Sequence, residues 1–202
     1  MNITILGTGH MARTLGAGLL RSGHSVVFGS RDPGAVTDLP APVLGHADAI
    51  ARGEIVLNAV AAAHSLETLT ALAGDIGDRV LIDIGNAVDQ RLELLYPEGS
   101  LGERLQQALP DARVVKTLNT LAGTLAVDPS SLPVPTTVFL SGDDAQAKAT
   151  VADILRTLGW AHEQQIDLGG IATARAVEHY FLLFAAMMMG LRSERFNVAV
   201  IR

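Results

Sequence analysis

Residues 1–21 read MNITILGTGHMARTLGAGLLR, and this stretch decides the fold. Asn2 to Leu6 is a short apolar run with β-branched residues at its centre, long enough for one strand buried on both faces. It breaks at Gly7-Thr8-Gly9, after which Met11, Leu15 and Leu19 recur at helical spacing. Strand, glycine turn and helix in that order are the context in which a G-x-G-x-x-G/A string carries meaning. Here the string is Gly7-Thr8-Gly9-His10-Met11-Ala12. Gly7 permits the sharp turn, Gly9 lets backbone approach a pyrophosphate, and small Ala12 lets helix pack against strand. The free N–H groups at the helix start then face the phosphates. The alternative is a plain glycine turn.

Moving outward, the second strand is expected at Ser25 to Phe28, entered through the helix stop Ser22-Gly23. The next residues, Gly29-Ser30-Arg31-Asp32-Pro33, fall where a dinucleotide fold meets the adenosine ribose. An NAD site usually places Asp or Glu at this strand end, whereas here a hydroxyl and a guanidinium come first. Arg supplies planar donors and a permanent charge, which suits a 2′-phosphate and favours NADP over NAD. Asp32, with Pro33 behind it, reads as the N-cap of the next helix. The competing reading is a solvated Arg31 with Asp32 holding the ribose.

Strand-like runs then alternate with helical ones. Glu54–Val60, Arg79–Ile84, Arg113–Leu118 and Thr136–Leu140 read as strands, and Gln165–Leu168 as a further edge strand. Helices are expected from near Ser65, over Leu101–Leu109 and over Asp144–Leu158. This alternation predicts an α/β fold, a Rossmann-type doubly wound parallel sheet with right-handed crossovers. Val127 to Pro135, with three prolines and two serines, reads as a long ordered loop. Ala172 to Gly190 predicts one long helix, polar at Arg175, Glu178 and His179, then apolar almost all round from Tyr180. Such a helix is expected to be buried, in the core or against another subunit, with Met187-Met188-Met189 as adaptable packing. Phe196 to Ile201 reads as a closing edge strand. The domain reading is therefore 1–168 for the nucleotide-binding domain and 169–202 for a C-terminal helix and edge strand that caps it or forms a dimer.

Ligands of such sheets sit beyond the carboxyl ends of the strands, which picks out Ala59 to His64, Gly85-Asn86 and Asn119 to Gly123. The Asn side chains there can bond a carboxamide or ribose, or they close turns. Lys116, inside a strand, reads as structural.

Composition narrows the function. A net charge of -6 and the absence of a basic run argue against nucleic acid as partner. With no cysteine there are no disulfides, thiolate metal sites or cysteine nucleophiles. The N-terminus has no basic leader, and Tyr180–Leu191 is shorter than the ~20 residues that span a bilayer, so a cytoplasmic, membrane-free protein is expected. No paired-His ligand set or G-x-S-x-G elbow is present, so no metal site and no catalytic residue is assigned. His64 follows a strand end and faces either substrate or solvent. Hydride transfer to a flavin-like ring needs chiefly stacking and distance, which an apolar pocket without an obvious acid provides.

The segments ILGTGHMARTLGAGLL, FGSRDP, RVVKTLNTLAG and VFLSGDDAQAKATVADILRTLGW, with the closing TARAVEHY and FNVAVIR, resemble one known family. It is the NADP-dependent reductases of the deazaflavin coenzyme F-420 (F420), and the likeness is strongest to its short bacterial branch. The resemblance implies a Rossmann domain with a small C-terminal portion, usually dimeric, in which nicotinamide and deazaflavin stack in a cleft. It implies that Thr8, Ser30 and Arg31 hold the NADP phosphate, and Gly7, Gly9, His10 and Met11 the pyrophosphate. Ala59, Val60, Ala61, Asn86 and Asn119 would lie along the ribose-nicotinamide side. Two departures stand out: Pro33-Gly34-Ala35-Val36 supplies no lysine after the Ser-Arg pair, and Ala87 follows Asn86 where Pro is common.

The expected activity is thus hydride transfer between NADP(H) and F420 or a flavin, a small-molecule redox acceptor, by a homodimer. The alternatives are an NADP-dependent reductase of an imine or hydroxy acid, or a module that holds NADP without turnover. Enzymes of the first kind carry a larger helical second domain, for which the roughly 30 residues after Gly170 are too few.

Overall fold

A computed structural model describes residues 1–201, and strand and helix alternate from the start of the chain. In order they are β1 (Asn2–Leu6), α1 (His10–Arg21), β2 (Ser25–Ser30), β3 (Val43–Gly45), α2 (His46–Ile50) and β4 (Ile55–Asn58). Then follow α3 (Ala62–Ala71), α4 (Ala73–Ile76), β5 (Val80–Asp83), α5 (Leu101–Ala108), β6 (Arg113–Thr117) and α6 (Gly123–Ala126). The last elements are β7 (Val138–Ser141), α7 (Ala145–Thr157), β8 (Gln165–Asp167) and α8 (Ala174–Leu191). The strands form one sheet in the order β3-β2-β1-β4-β5-β6-β7-β8.

Successive strand side chains point to opposite faces, and both faces are covered. Ile55 and Leu57 enter one core with Leu15, Phe28 and Trp160, while Val56 enters the other with Leu69, Leu81 and Leu105. Fully burying one such side chain contributes about 1.5–3 kcal/mol, so the two-faced sheet is the main source of stability. Thr4 is the buried polar residue of β1, and its hydroxyl donates to the Ala49 carbonyl at 2.6 Å. Trp160 is fully buried and its indole N–H donates to the Ala126 carbonyl at 3.0 Å.

The doubly wound sheet matches the expected fold class, with one change of direction. β7 pairs antiparallel with β6, so β7 and β8 run opposite to the other strands. Parallel neighbours need a crossover, usually a full helix; the β6–β7 connection carries only the four-residue α6, and an antiparallel return needs no more. β3, too short to stand out in sequence, adds an edge beside β2.

Helix ends follow local chemistry where it is strong. The Asp144 carboxylate caps α7, accepting from the Ala147 N–H at 2.6 Å, and the Ser100 hydroxyl accepts from the Glu103 N–H at α5. Asp32 does not cap through its side chain; the helix behind it is a single 3-10 turn, Pro33–Ala35, too short to need a cap. Phe196 to Ile201 forms no regular strand. One backbone bond, from the Thr137 N–H to the Val198 carbonyl, and the Asn197 side chain tie it beside β7.

Candidate functional site

A cleft of ≈ 710 Å³ opens beyond the carboxyl ends of β1, β2, β4 and β5. It lies at the point where the chain leaves β1 to one side for β2 and to the other for β4, as ligand sites of open α/β sheets do.

At its centre the two glycines of the first turn differ in kind. Gly7 has φ +114°, and an added Cβ would stand 2.4 Å from the Ala59 carbonyl oxygen, so the fold itself demands glycine there. Its N–H donates to the Gly29 carbonyl at 2.9 Å, which joins the turn to the end of β2. Gly9 has φ -77° and ψ -174°, open to any residue, and an added Cβ would meet nothing within 4 Å. The protein's own packing gives no reason for glycine at 9. A ligand that must approach the backbone does. No side chain caps the start of α1, so its first N–H groups are free to meet an anion. Arg13 steadies this loop: its Nε donates to the Thr8 carbonyl at 3.0 Å, and its Nη1 pairs with Asp38 at 2.7 Å.

At the β2 end the cleft is lined by Ser30, Arg31, Asp32 and His46. The Ser30 hydroxyl accepts from the Asp32 N–H at 3.1 Å, closing a tight turn. Arg31 is exposed and has no carboxylate partner within ion-pair distance among the described residues. Partial burial, and then the Arg31 charge, lower the His46 pKa below the ordinary histidine range.

At the other end Ala59, Val60, Ala61, Ile84 and Gly85 form an apolar wall and floor, with Asn86 as the polar lining residue. A fully buried polar cluster lies beneath. Lys116 Nζ donates to Asp83 Oδ2 and meets Glu178 Oε1, each at 2.8 Å, and also donates to the Gly85 carbonyl. All three ammonium donors are thereby used. Asp83 Oδ1 accepts from Asn58 Nδ2 at 2.8 Å and from the Gly85 N–H at 3.1 Å. Asn58 Oδ1 in turn accepts from the Val60 N–H at 3.2 Å. Glu178 accepts the Leu101 and Gly102 N–H groups at 2.8 and 3.0 Å, so the positive end of α5 offsets the second carboxylate. Burial alone would depress the Lys116 pKa, but the two carboxylates outweigh it and hold it above the ordinary lysine value. The cluster thus fixes the backbone at Val60 and Gly85, where the cleft floor begins.

The structure brings eleven of the twelve residues singled out from sequence to this cleft: Gly7, Thr8, Gly9, His10, Met11, Ser30, Arg31, Ala59, Val60, Ala61 and Asn86. Asn119 does not line it. Its Nδ2 donates to Asn86 Oδ1 and to the Val177 carbonyl, both at 2.9 Å, and its own carbonyl accepts from Asn86 Nδ2 at 2.7 Å. It stands behind Asn86 and orients it, because Leu118, at φ +58°, turns the chain as it leaves β6. His46, Thr68 and Ile84 line the cleft without having been singled out, while Gly85, picked out with Asn86, lines it as expected. The signal for Gly85 was its place at a strand end; His46 follows a three-residue strand that leaves almost no pattern. His64 faces the cleft and is exposed.

Residues 2–87 match the family model described as NADP oxidoreductase coenzyme F420-dependent. The crystal structure of a candidate F420-dependent NADP reductase from Arthrobacter sp. FB24 superposes with a TM-score of 0.92; it is 37% identical, and each chain covers 100% of the other. The F420-dependent NADP reductase of Methanothermobacter thermautotrophicus is 25% identical over 202 aligned positions, 88% of this chain and 85% of that protein. Metalloreductase STEAP3 of Rattus norvegicus is 32% identical over 179 positions; they take in 87% of this chain, which spans only 35% of that protein. No helix among the described residues is long and apolar enough to cross a membrane.

Proposed function

This chain belongs to the family of coenzyme F420-dependent NADP oxidoreductases, and from that premise we propose that it moves a hydride between NADP(H) and F420 or a flavin-type acceptor. The observation that carries the reading is the open backbone at Gly9 beside an uncapped helix start, with Ser30 and Arg31, unpaired among the described residues, at the end of the next strand. In this reading the backbone of Gly7, Gly9, His10 and Met11 cradles the pyrophosphate. Thr8, Ser30 and Arg31 hold the 2′-phosphate. Ala59, Val60, Ala61 and Asn86 line the ribose and nicotinamide, and Asn119 is a positioning residue for Asn86.

When bound, NADP(H) supplies the hydride chemistry. The protein's part is to hold, orient and exclude water. Asn86, locked by two bonds to Asn119, presents a fixed amide edge rather than a rotating one. Val60, Ile84 and Met11 give an apolar surface on which flat rings can lie close without solvent between them. No acid or base need act in the transfer itself.

A second copy of the chain completes the reading. On α8, Leu183, Met189 and Leu191 are exposed at 54%, 62% and 62%, an apolar face that a dimer partner would cover.

The test is NADPH oxidation, followed by absorbance, with F420, FMN, FAD and riboflavin as acceptors. A ferric chelate is added in one arm because the STEAP3 relative is a metalloreductase. Turnover with a deazaflavin or flavin is expected. Tight NADPH binding with no turnover in any arm would leave a module that holds NADP without reducing anything.

A further inference from the structure

His46 is the first residue of α2, directly after the edge strand β3. β3 lies in parallel register with β2, Gly45 opposite Ser30, so His46 emerges beside the Ser30-Arg31 turn. Its ring lies over Gly29: a Cβ there would stand 3.2 Å from His46 Cδ2. It lines the same cleft as Ser30 and Arg31. Burial and the Arg31 charge are what disfavour its cationic form, and no hydrogen bond among the described residues relieves them. An imidazole so placed is costly to charge until an anion arrives beside the guanidinium.

We propose that His46 is a second reader of the 2′-phosphate, taking up a proton as the phosphate binds and supplying the cation that Pro33-Gly34-Ala35-Val36 lacks. The inference rests on the NADP reading above and deepens it. A dianionic phosphate next to Arg31 reverses the local field, so the imidazolium that was repelled becomes a donor in a charge-assisted hydrogen bond. The proton comes from solvent. On α2 and the elements packed against it the other titratable groups are Asp48 in the first turn of α2 and Asp75 on α4, while β1, β2 and β3 carry none; Asp32, His10 and His64 share the cleft. NADH offers hydroxyls at this point and gives no such gain. A ring that merely stacked on adenine would serve both nucleotides alike.

The experiment is a set of fluorescence titrations with NADPH and NADH at about pH 8 and about pH 6.5, on wild type and His46→Gln, with proton uptake read by calorimetry in two buffers of different ionisation enthalpy. One unit of pKa rise on binding corresponds to about tenfold in affinity, so the wild-type NADPH-to-NADH affinity ratio should climb about three- to tenfold as pH falls. His46→Gln should lower the ratio at the acid end and flatten the climb. NADPH should also take up fewer protons on binding the variant, a difference that cancels the phosphate's own ionisation near pH ~6. Equal pH slopes and equal proton uptake in the two proteins would overturn the inference while leaving the NADP reading intact. Failure of both nucleotides to bind wild type would overturn both.

Discussion

Gly7 and Gly9 stand two residues apart, and their substitution should separate folding from binding. At Gly7, positive φ and the Ala59 carbonyl 2.4 Å from a would-be Cβ make Gly7→Ala a folding lesion of about 1–3 kcal/mol or more, read as a lower denaturant midpoint. Gly9→Val should cost at most about 1 kcal/mol, the disadvantage of valine at an N-cap, because its side chain enters open space. That space is where the pyrophosphate must come, so NADPH binding should be abolished. A Gly9→Val protein with wild-type affinity would remove this loop from the site. Arg31 decides between cofactors in the same way. Charge-assisted hydrogen bonds are worth about 1.5–3 kcal/mol each, so Arg31→Ala should weaken NADPH roughly ten- to several-hundred-fold more than NADH. Ser30→Asp should go further, because a carboxylate repels the phosphate and accepts from both ribose hydroxyls. Equal losses for both nucleotides would shift attention to Asp32.

Among the elements, α8 is the one whose start the cleft depends on. Its Val177 carbonyl holds Asn119, and Glu178 bridges Lys116 to the N-terminus of α5. Replacing a buried ion network with apolar groups throughout can be neutral, but removing one partner leaves uncompensated charge at a cost of about 3–5 kcal/mol. Lys116→Met should therefore lower stability by about that much, whereas Glu178→Gln, which leaves the Lys116–Asp83 pair, should cost less. A loss under about 1 kcal/mol for Lys116→Met would mean the cluster is not an ion network in solution. The pH dependence has a definite sign. The Lys116 pKa is raised in the folded state, so its contribution is complete below the unfolded value of about 10.4 and is lost as pH rises through the folded one. Tyr180, its phenol raised by burial, acts in the same direction. The unfolding midpoint should thus be level up to about pH 10, where unfolded lysine and tyrosine ionise, and fall as pH rises from there toward the folded values.

For the whole molecule, the outer side of α8 is the surface a second copy would cover. Phe184 and Ala185 turn inward, and Phe184 packs on Phe181 and Phe196, so this helix is only half covered by its own chain. Leu183, across the helix from that inward stripe, is 54% exposed, so a charge there should spare the folded monomer. Leu183→Glu should leave the unfolding midpoint at low concentration nearly unchanged and raise the dimer dissociation constant strongly, since a buried unpaired charge costs several kcal/mol. Sedimentation equilibrium checks this, and a stable wild-type monomer would remove the second copy from the reading.

The parts legible in sequence are those whose signals are local. The βαβ opening, both ends of α7 and the strand ends carrying Ala59–Ala61 and Asn86 follow from period, caps and glycines within a few residues of one another. Those signals placed the cleft because a doubly wound sheet puts its ligand site at known strand ends. What sequence could not show depends on partners distant along the chain. Lys116 meets Asp83 and Glu178, 33 and 62 residues away, and nothing near any of the three announces the meeting. Asn119 reads like a cleft residue until Asn86 and Val177 claim its amide. His46 reaches the cleft only because β3 docks beside β2, a register set by three residue pairs. The parallel direction expected for β7 failed for the same reason: alternation of strand and helix shows which segments enter the sheet, while packing of the connection decides from which end they enter.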